Sequence, residues 1–291
     1  MTAASVPVRV VRRRSFRVPS RVLAGLVIVG GFALVALAAP LLAPYDPREL
    51  VAAPMLPPGG SHLLGTNDVG QDIFSELVYG ARVSMVVALS AATIAVTVAT
   101  VLGMVAGYLG GAVDRVVART IDAMLSIPRL PFMLLIAAYA GGGLLQVVLI
   151  IAALSWPVTA RLVRSEVLSL RNRLHVRAAR GFGASTPYVL GRHILPAVVP
   201  VVAAAFALQA GRAVVMEAGL AFLGIGDPTG KSWGLTIRAA LSYPLIYFGN
   251  AWLWWIVPAG LCIGALIVGF TLLGQGLEHW VNPRADVPSA T

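Results

Sequence analysis

The chain has 291 residues, of which 58% are hydrophobic and only 12% are charged. Its mean hydropathy of +0.85 is too high for one soluble core and indicates a polytopic membrane protein. The net charge of +10 argues for nucleic-acid binding only in a soluble protein; here the arginines cluster beside apolar runs, as orientation signals do. With one cysteine, Cys262, neither an intrachain disulfide nor a multi-cysteine metal site is expected.

The first predicted element is a membrane span over residues 22–42, an uncharged run long enough for about 30 Å of helix. Residues 1–21 before it hold six arginines, so the positive-inside rule places them in the cytoplasm. Arg13 and Arg14 also resemble a twin-arginine export signal, with a candidate cleavage site at residues 36–38. An uncleaved first span explains more, because the apolar run is long and further spans follow.

Residues 44–82 form a predicted outer loop that is rich in proline, glycine and aspartate and too polar for lipid. Its His62 stands near acidic residues, as metal ligands do. One histidine without a second at helical spacing is a poor metal site, however, and the residues from Gly65 to Asp72 are ordinary turn formers. No metal is therefore expected.

The second span is predicted over residues 83–109 and returns the chain to the cytoplasm. The stretch 130–160 then lacks charge, so it fits either one span or a hairpin that turns at residues 141–143. One span would leave the seven arginines between residues 161 and 192 outside, which the positive-inside rule opposes. Spans three and four are therefore predicted over residues 118–139 and 144–163.

This hairpin places Arg129 near the middle of the third span, between Pro128 and Pro131. A charged residue at that depth is costly and is expected to face the bundle interior or a wet cavity, which makes it a candidate site residue. The alternative is a shifted span from which Arg129 snorkels to the interface.

Segment 164–196 is predicted to be an aqueous loop. The seven arginines in and beside it are opposed by one acid, Glu166, and each would cost about 2.5–3.5 kcal/mol at the centre of a membrane helix. Such a segment cannot lie in lipid, and its charge places it in the cytoplasm. On the residues alone it is either a loop that fixes topology or a surface for another protein.

Two further spans complete the prediction of an all-α integral membrane protein with six transmembrane helices and both termini in the cytoplasm. They cover residues 197–220 and 251–273, with an outer loop at 221–250 and a cytoplasmic tail at 274–291. Residues 224–232 resemble a phosphate-binding P-loop, but Ile225 stands where that motif needs glycine. The chain is therefore not expected to hydrolyse ATP.

The cytoplasmic loop carries a pattern seen in one family. Arg177-Ala178-Ala179, then Gly183 and Leu195-Pro196, resembles the EAA loop of binding-protein-dependent ABC importer permeases. Arg177 replaces the family's acidic residue and His193 its usual isoleucine. Other blocks resemble the dipeptide, oligopeptide and nickel permeases in the same order, at 62–72 (with Gln71 where arginine is common), 79–84, 114–122, 217–226, 232–234 and 282–284.

This resemblance implies the type I ABC importer permease fold in a bacterial cell membrane. The partners that it implies are a homologous second permease, two ATPase subunits that bind ATP and Mg²⁺, and an extracytoplasmic substrate-binding protein. The chain itself would hold no cofactor and would be no enzyme. The resemblance and the loop composition assign ATPase coupling to Arg177, Ala178, Ala179, Gly183, Leu195 and Pro196. Polar residues in or beside the spans are assigned to the pathway or its gate: Arg129, Gln209, Arg212 and Glu217.

Three functions stay open at this point. Peptides and nickel chelates share this permease architecture, so the substrate is not fixed. A stand-alone secondary transporter would be expected to show an internal repeat, and none is evident between residues 22–139 and 144–273. A structural membrane subunit without a transport role is the third alternative.

Overall fold

The computed structural model describes residues 19–226 and 230–281, and within these ranges the fold is helical without extended strands. The basic segment 1–18, residues 227–229 and the tail from Asn282 lie outside the described residues. The twin-arginine resemblance, part of the P-loop resemblance and the 282–284 block fall on them.

Five helices are long and apolar enough to cross a membrane. They are α1 (Ser20–Leu37), α3 (Ile73–Leu109), α6 (Leu144–Leu170), α9 (Leu195–Phe222) with the short helical segment before it, and α11 (Ala251–Val281). The shorter elements are α2 (Ala39–Leu42), α4 (Gly111–Ser126), α5 (Arg129–Ala140), α7 (Leu174–Gly181), α8 (Thr186–Val189), a π-helical turn (Leu190–Ile194) and α10 (Trp233–Ser242). The sixth span exists only if α4 and α5 together count as one.

The third predicted span, over residues 118–139, corresponds to two helices, α4 and α5, with a break between them. Helices α4 and α5 meet at an angle of 89°. Ile127 and Pro128 between them are both extended. For Ile127 the cause is the proline that follows it, since a residue before proline avoids the helical region. A break of this kind in a membrane is tolerated where the backbone is buried in protein or lines a cavity.

Ion pairs hold α4 against α6. The guanidinium group of Arg164 donates to both carboxylate oxygens of Asp114, at 2.5 and 2.8 Å. Arg161 donates to Asp122 at 2.6 Å, where both side chains are exposed. The Arg164–Asp114 pair is the stronger of the two ion pairs, because bidentate contacts to a carboxylate combine charge with fixed geometry.

Several helix limits differ from the sequence prediction. Helix α3 begins at Ile73, well before residue 83, because Asp72 caps it by accepting the Ser75 amide at 2.8 Å. Helix α11 continues to Val281 instead of ending near residue 273. The outer loop 221–250 contains helix α10.

Helices α3 and α6 pack along a seam of small residues. Gly103 and Gly107 lie one turn apart on α3, and a Cβ at either position would meet a carbonyl oxygen of α6 at 2.8 or 2.9 Å. Val163 and Val167 fill the same seam from α6. Glycines at this spacing let two membrane helices approach closely, so dispersion contacts between their backbones stabilise the pair.

We expect Gly107→Leu to destabilise the protein by about 1–3 kcal/mol, because the added side chain has to displace the α6 backbone. The measurement is thermal unfolding in detergent, followed by size-exclusion chromatography. Gly30→Leu is the matched control, since a Cβ at Gly30 meets nothing within 4 Å. Equal stability of the two variants would contradict the seam.

Candidate functional site

A network of polar side chains, called here the outer network, joins the loop before α3 to the start of α10. Lys231 Nζ donates to Glu76 Oε1 at 2.6 Å and to Gln71 Oε1 at 2.7 Å. Asn67 donates to Glu76 at 3.0 Å, and the Thr236 hydroxyl approaches the other carboxylate oxygen at 3.4 Å. Glu76 is only 3% exposed. Its buried charge is therefore compensated by one lysine and two neutral donors, as a buried carboxylate requires.

Trp233 seats α10 on α3 beside the outer network. Its ring is fully buried, and Nε1 donates to the Leu77 carbonyl at 2.9 Å. The ring fits only because residue 80 is glycine, where a Cβ would lie 2.6 Å from the indole. The Phe32 ring of α1 meets Trp233 edge to face at 5.5 Å. One side chain thus fastens α10 to two spans.

The histidine of the outer loop has a local role. His62 Nδ1 lies 3.0 Å from Asp72 Oδ1, and the imidazole ring lies 5.1 Å from the Tyr45 ring. Among residues 19–226 and 230–281 no three side chains of metal-ligating type come together. His62 therefore packs the loop against the residue that caps α3.

Glu217 lies buried near the outer end of α9, and the Ser84 hydroxyl of α3 is 3.4 Å from its carboxylate. It lines a small cavity of about 40 Å³ together with Ser232 at the cap of α10. Glu217 thus connects α3, α9 and the α10 cap. This is the position in which an acid can brace the outer end of a pathway.

The other polar residues of this region separate into two groups. Gln209 is 1% exposed, and its Oε1 has no hydrogen-bond partner in the described part of the chain. Arg212, one turn later, is exposed and lines a cavity of about 170 Å³ between α6, α9 and α11. Arg129 is the first residue of α5 and feels the charge of Arg212. Arg129 and Arg212 are thus within electrostatic range of each other, whereas Gln209 is packed inside the bundle, away from an open face.

The predicted coupling loop folds into α7, α8 and the π-helical turn, and α7 presents what we call the cytoplasmic surface. Val176 is fully buried in an apolar cluster with Val167 of α6 and Val198 of α9. On the opposite side Leu174 is 84% exposed and Phe182 is 92% exposed. An anchored helix that carries exposed apolar side chains outward is a suitable surface for another protein.

The coupling residues take different positions on this surface. Arg177 and Ala178 are exposed, whereas Ala179 packs against the apolar cluster. Gly183 follows α7 at a φ of +83°, and the Ala184 amide bonds back to the Ala179 carbonyl at 3.1 Å. This is a Schellman helix end, which favours glycine for its left-handed backbone. Gly183 is thus required by the backbone, and nothing lies within 4 Å of a Cβ there.

Leu195 and Pro196, which were predicted to end the cytoplasmic loop, belong to a helix instead. Both residues open α9, in one helical segment from Thr186 to Phe222. Pro196 has no amide to donate to the preceding turn of this continuous segment, so the regular hydrogen bonding of an α-helix is interrupted there. The irregularity lies just before it, in the π-helical turn Leu190–Ile194, a type of distortion that is frequent at functional sites.

Comparison with known proteins assigns the chain. Residues 99–287 match the family described as binding-protein-dependent transport system inner membrane component. The chain belongs to this family. Residues 10–58 also match the N-terminal transmembrane domain of oligopeptide transport permease C.

Relatives of this family align over most of their length. The chain is 38% identical over 273 residues to a probable peptide ABC transporter permease protein of Sinorhizobium fredii, covering 89% of each chain. It is 34% identical over 261 residues to a probable D,D-dipeptide transport system permease protein, DdpC, of Escherichia coli K12, covering 89% of this chain and 86% of DdpC. For the dipeptide transport system permease protein DppC of Bacillus subtilis the identity is 32% over 266 residues, covering 90% and 81%.

Membership in this family confirms the predicted type I ABC permease fold, the importer permease function and the multi-pass inner-membrane location.

Sequence reasoning missed the outer network. Its one signal was compositional: Lys231 is the single lysine of the chain, and Glu76 is the one acid in an otherwise uncharged stretch from residue 73 to residue 81. Nothing in a pattern or spacing joins residues so far apart along the chain.

We expect Lys231→Met to destabilise the permease by about 3–5 kcal/mol, because it leaves Glu76 buried without a compensating charge. Adding Glu76→Gln should restore most of this loss, since the carboxylate is then gone. The measurement is the thermal unfolding midpoint of the purified protein. Arg82→Met is the control, because Arg82 is exposed on the same helix as Glu76; a Lys231→Met protein as stable as this control would contradict the argument.

Proposed function

We propose that this chain is the permease subunit of an ATP-driven importer for dipeptides or oligopeptides, and that it forms half of the translocation pathway. The observation that carries the proposal is the cytoplasmic surface. Helix α7 is fixed to the ends of three spans through Val176, and Leu174 and Phe182 are exposed on its other side. The names of the relatives support the peptide class, since those compared above are peptide or dipeptide permeases.

The geometry of the cytoplasmic surface supports a mechanism of coupling. The exposed side of α7, with Ala178 and Phe182, docks into a groove of an ATPase subunit. Val176 on the opposite side passes the movement of α7 to α3, α6 and α9 through the apolar cluster. Arg180 adds a contact to the end of α3, because its guanidinium group lies 5.7 Å from the centre of the Tyr108 ring.

The importer needs further subunits. A second, homologous permease completes the pathway, and two ATPase subunits bind ATP and Mg²⁺ and carry out the hydrolysis. A substrate-binding protein delivers the peptide to the outer side. This chain supplies the path and the coupling surface and holds no cofactor of its own. An importer of nickel chelates is the alternative within the same architecture.

Purification from the native membrane tests the proposal. We expect a second permease and ATPase subunits to co-purify with this chain. Proteoliposomes of that assembly should accumulate a labelled dipeptide or oligopeptide when ATP and the binding protein are supplied. A chain that purifies alone and moves substrate without ATP would establish the secondary transporter instead. An assembly that accumulates nickel but no peptide would establish the alternative substrate.

We expect Phe182→Ala to weaken co-purification of the ATPase subunits at least tenfold, because a fully exposed aromatic side chain on a docking helix has the character of an interface hot spot. The variant should still insert into the membrane and unfold at the same temperature as the wild-type protein. Phe248→Ala is the matched control, since Phe248 is 84% exposed but lies in the outer loop. Equal recovery of ATPase subunits with both variants would place the docking site elsewhere.

A further inference from the structure

The cavity between α6, α9 and α11 has charges of opposite sign at its two ends. Arg212 of α9 lies at one end, and Glu166 of α6 and Glu278 of α11 also line the cavity. None of the three forms an ion pair within the part of the chain that the structure describes. The cavity therefore presents positive and negative groups that no ion pair of the described residues neutralises.

The helix directions fix which charge lies where. The last turns of α6 and the first turns of α9 meet in one apolar cluster, through Val167, Leu170 and Val198. Glu166 is therefore near the beginning of α9, whereas Arg212 lies far along it. On α9 the cavity lining extends from Val201 to Arg212, a length of about 16 Å at about 1.5 Å per residue. The positive and negative ends are thus separated by several ångströms of cavity, lined between them by Thr159 and small apolar residues.

A second arginine, which does not itself line the cavity, lies within electrostatic range of Arg212. Arg129 starts α5, whose Leu130 side chain lies beside Gly219 of α9, and its charge interacts with that of Arg212. Two neighbouring guanidinium groups repel each other, so an anion beside them gains from both. Arg212 lies about 15 Å before the end of α9, well inside the length of that span. Charged groups at that depth need a partner.

We propose that this cavity is a binding site within the pathway for the two charged ends of a short peptide, with the carboxylate at Arg212 and the ammonium group at Glu166 and Glu278. This rests on the proposed peptide importer. A peptide of three residues extends roughly 10 Å, which is less than the length of about 16 Å that the cavity lining covers along α9. A carboxylate of the second permease would satisfy the arginines alone, whereas a zwitterion satisfies both ends of the cavity.

The test is peptide binding by the purified assembly in nanodiscs without its binding protein, measured by saturation-transfer NMR. The probes are trialanine, trialanine amide and N-acetyl-trialanine. We expect trialanine to bind at least fivefold more tightly than either blocked peptide. Arg212→Gln should remove the preference for the free carboxylate, and Glu166→Gln should remove the preference for the free amino group. Arg119→Gln, an exposed arginine of α4 away from the cavity, should change neither preference.

Several results would overturn the site. The first is a wild-type assembly that binds trialanine no better than the blocked peptides. The second is that neither substitution changes the preferences for free termini. The third is that the Arg212→Gln protein no longer co-purifies with the second permease, which would make Arg212 a subunit contact. Uptake assays separate this site from the proposed function. If the assembly binds trialanine through these groups but imports no peptide, the proposed site stands and the proposed function is wrong. If the assembly imports peptides but the Arg212→Gln and Glu166→Gln variants keep the wild-type preferences for free termini, the proposed function stands and the proposed site is wrong.

Discussion

Charges without a compensating partner and backbone groups without hydrogen bonds are excluded from lipid, and this constraint determines most of the structure. Five long apolar helices satisfy their own backbone, and charged residues near them are paired, gathered at the ends or turned to a cavity. Glu76 is accepted in a buried position because Lys231 meets it. Arg129 is accepted at the break between α4 and α5, where the chain is not a simple lipid-facing helix. The same constraint thus produces both the regular bundle and its exceptions.

The sequence was sufficient for the features that follow from this constraint and insufficient for those that follow from long-range packing. Apolar runs and clustered arginines predicted the spans and the aqueous loop, because hydropathy and charge act locally. The bend at Pro128 could be expected from Pro128 and Pro131 only as an irregularity, since its angle depends on what α4 and α5 pack against. The pair of Lys231 and Glu76 had no local signal. Gln209 has the sequence character of a pathway residue, yet its helix face turns inward.

Helix α3 connects the features at the two ends of the molecule. It begins at Ile73 beside the outer network, passes Gly80 under Trp233, and reaches the cytoplasmic apolar cluster through Met104 and Tyr108. Because it is one continuous helix packed closely on α6, a movement at α7 displaces a stiff element and not a flexible chain. The outer end, with Glu217 beside Ser84 of the same helix, is then within reach of an event at the cytoplasmic surface.

The π-helical turn before α9 has a consequence for how this permease can change. Five residues, Leu190–Ile194, hold a wider turn than the α-helix on either side, which amounts to one residue more than regular winding needs. If the extra residue moved along α9 by relaxing the wide turn and reforming it further on, the faces between the two places would rotate by about a quarter of a turn. The side of α9 that carries Arg212 would then be re-aimed while the helix ends stayed in place. A helix with one such extra residue can therefore rotate part of its length as well as hold its neighbours in place.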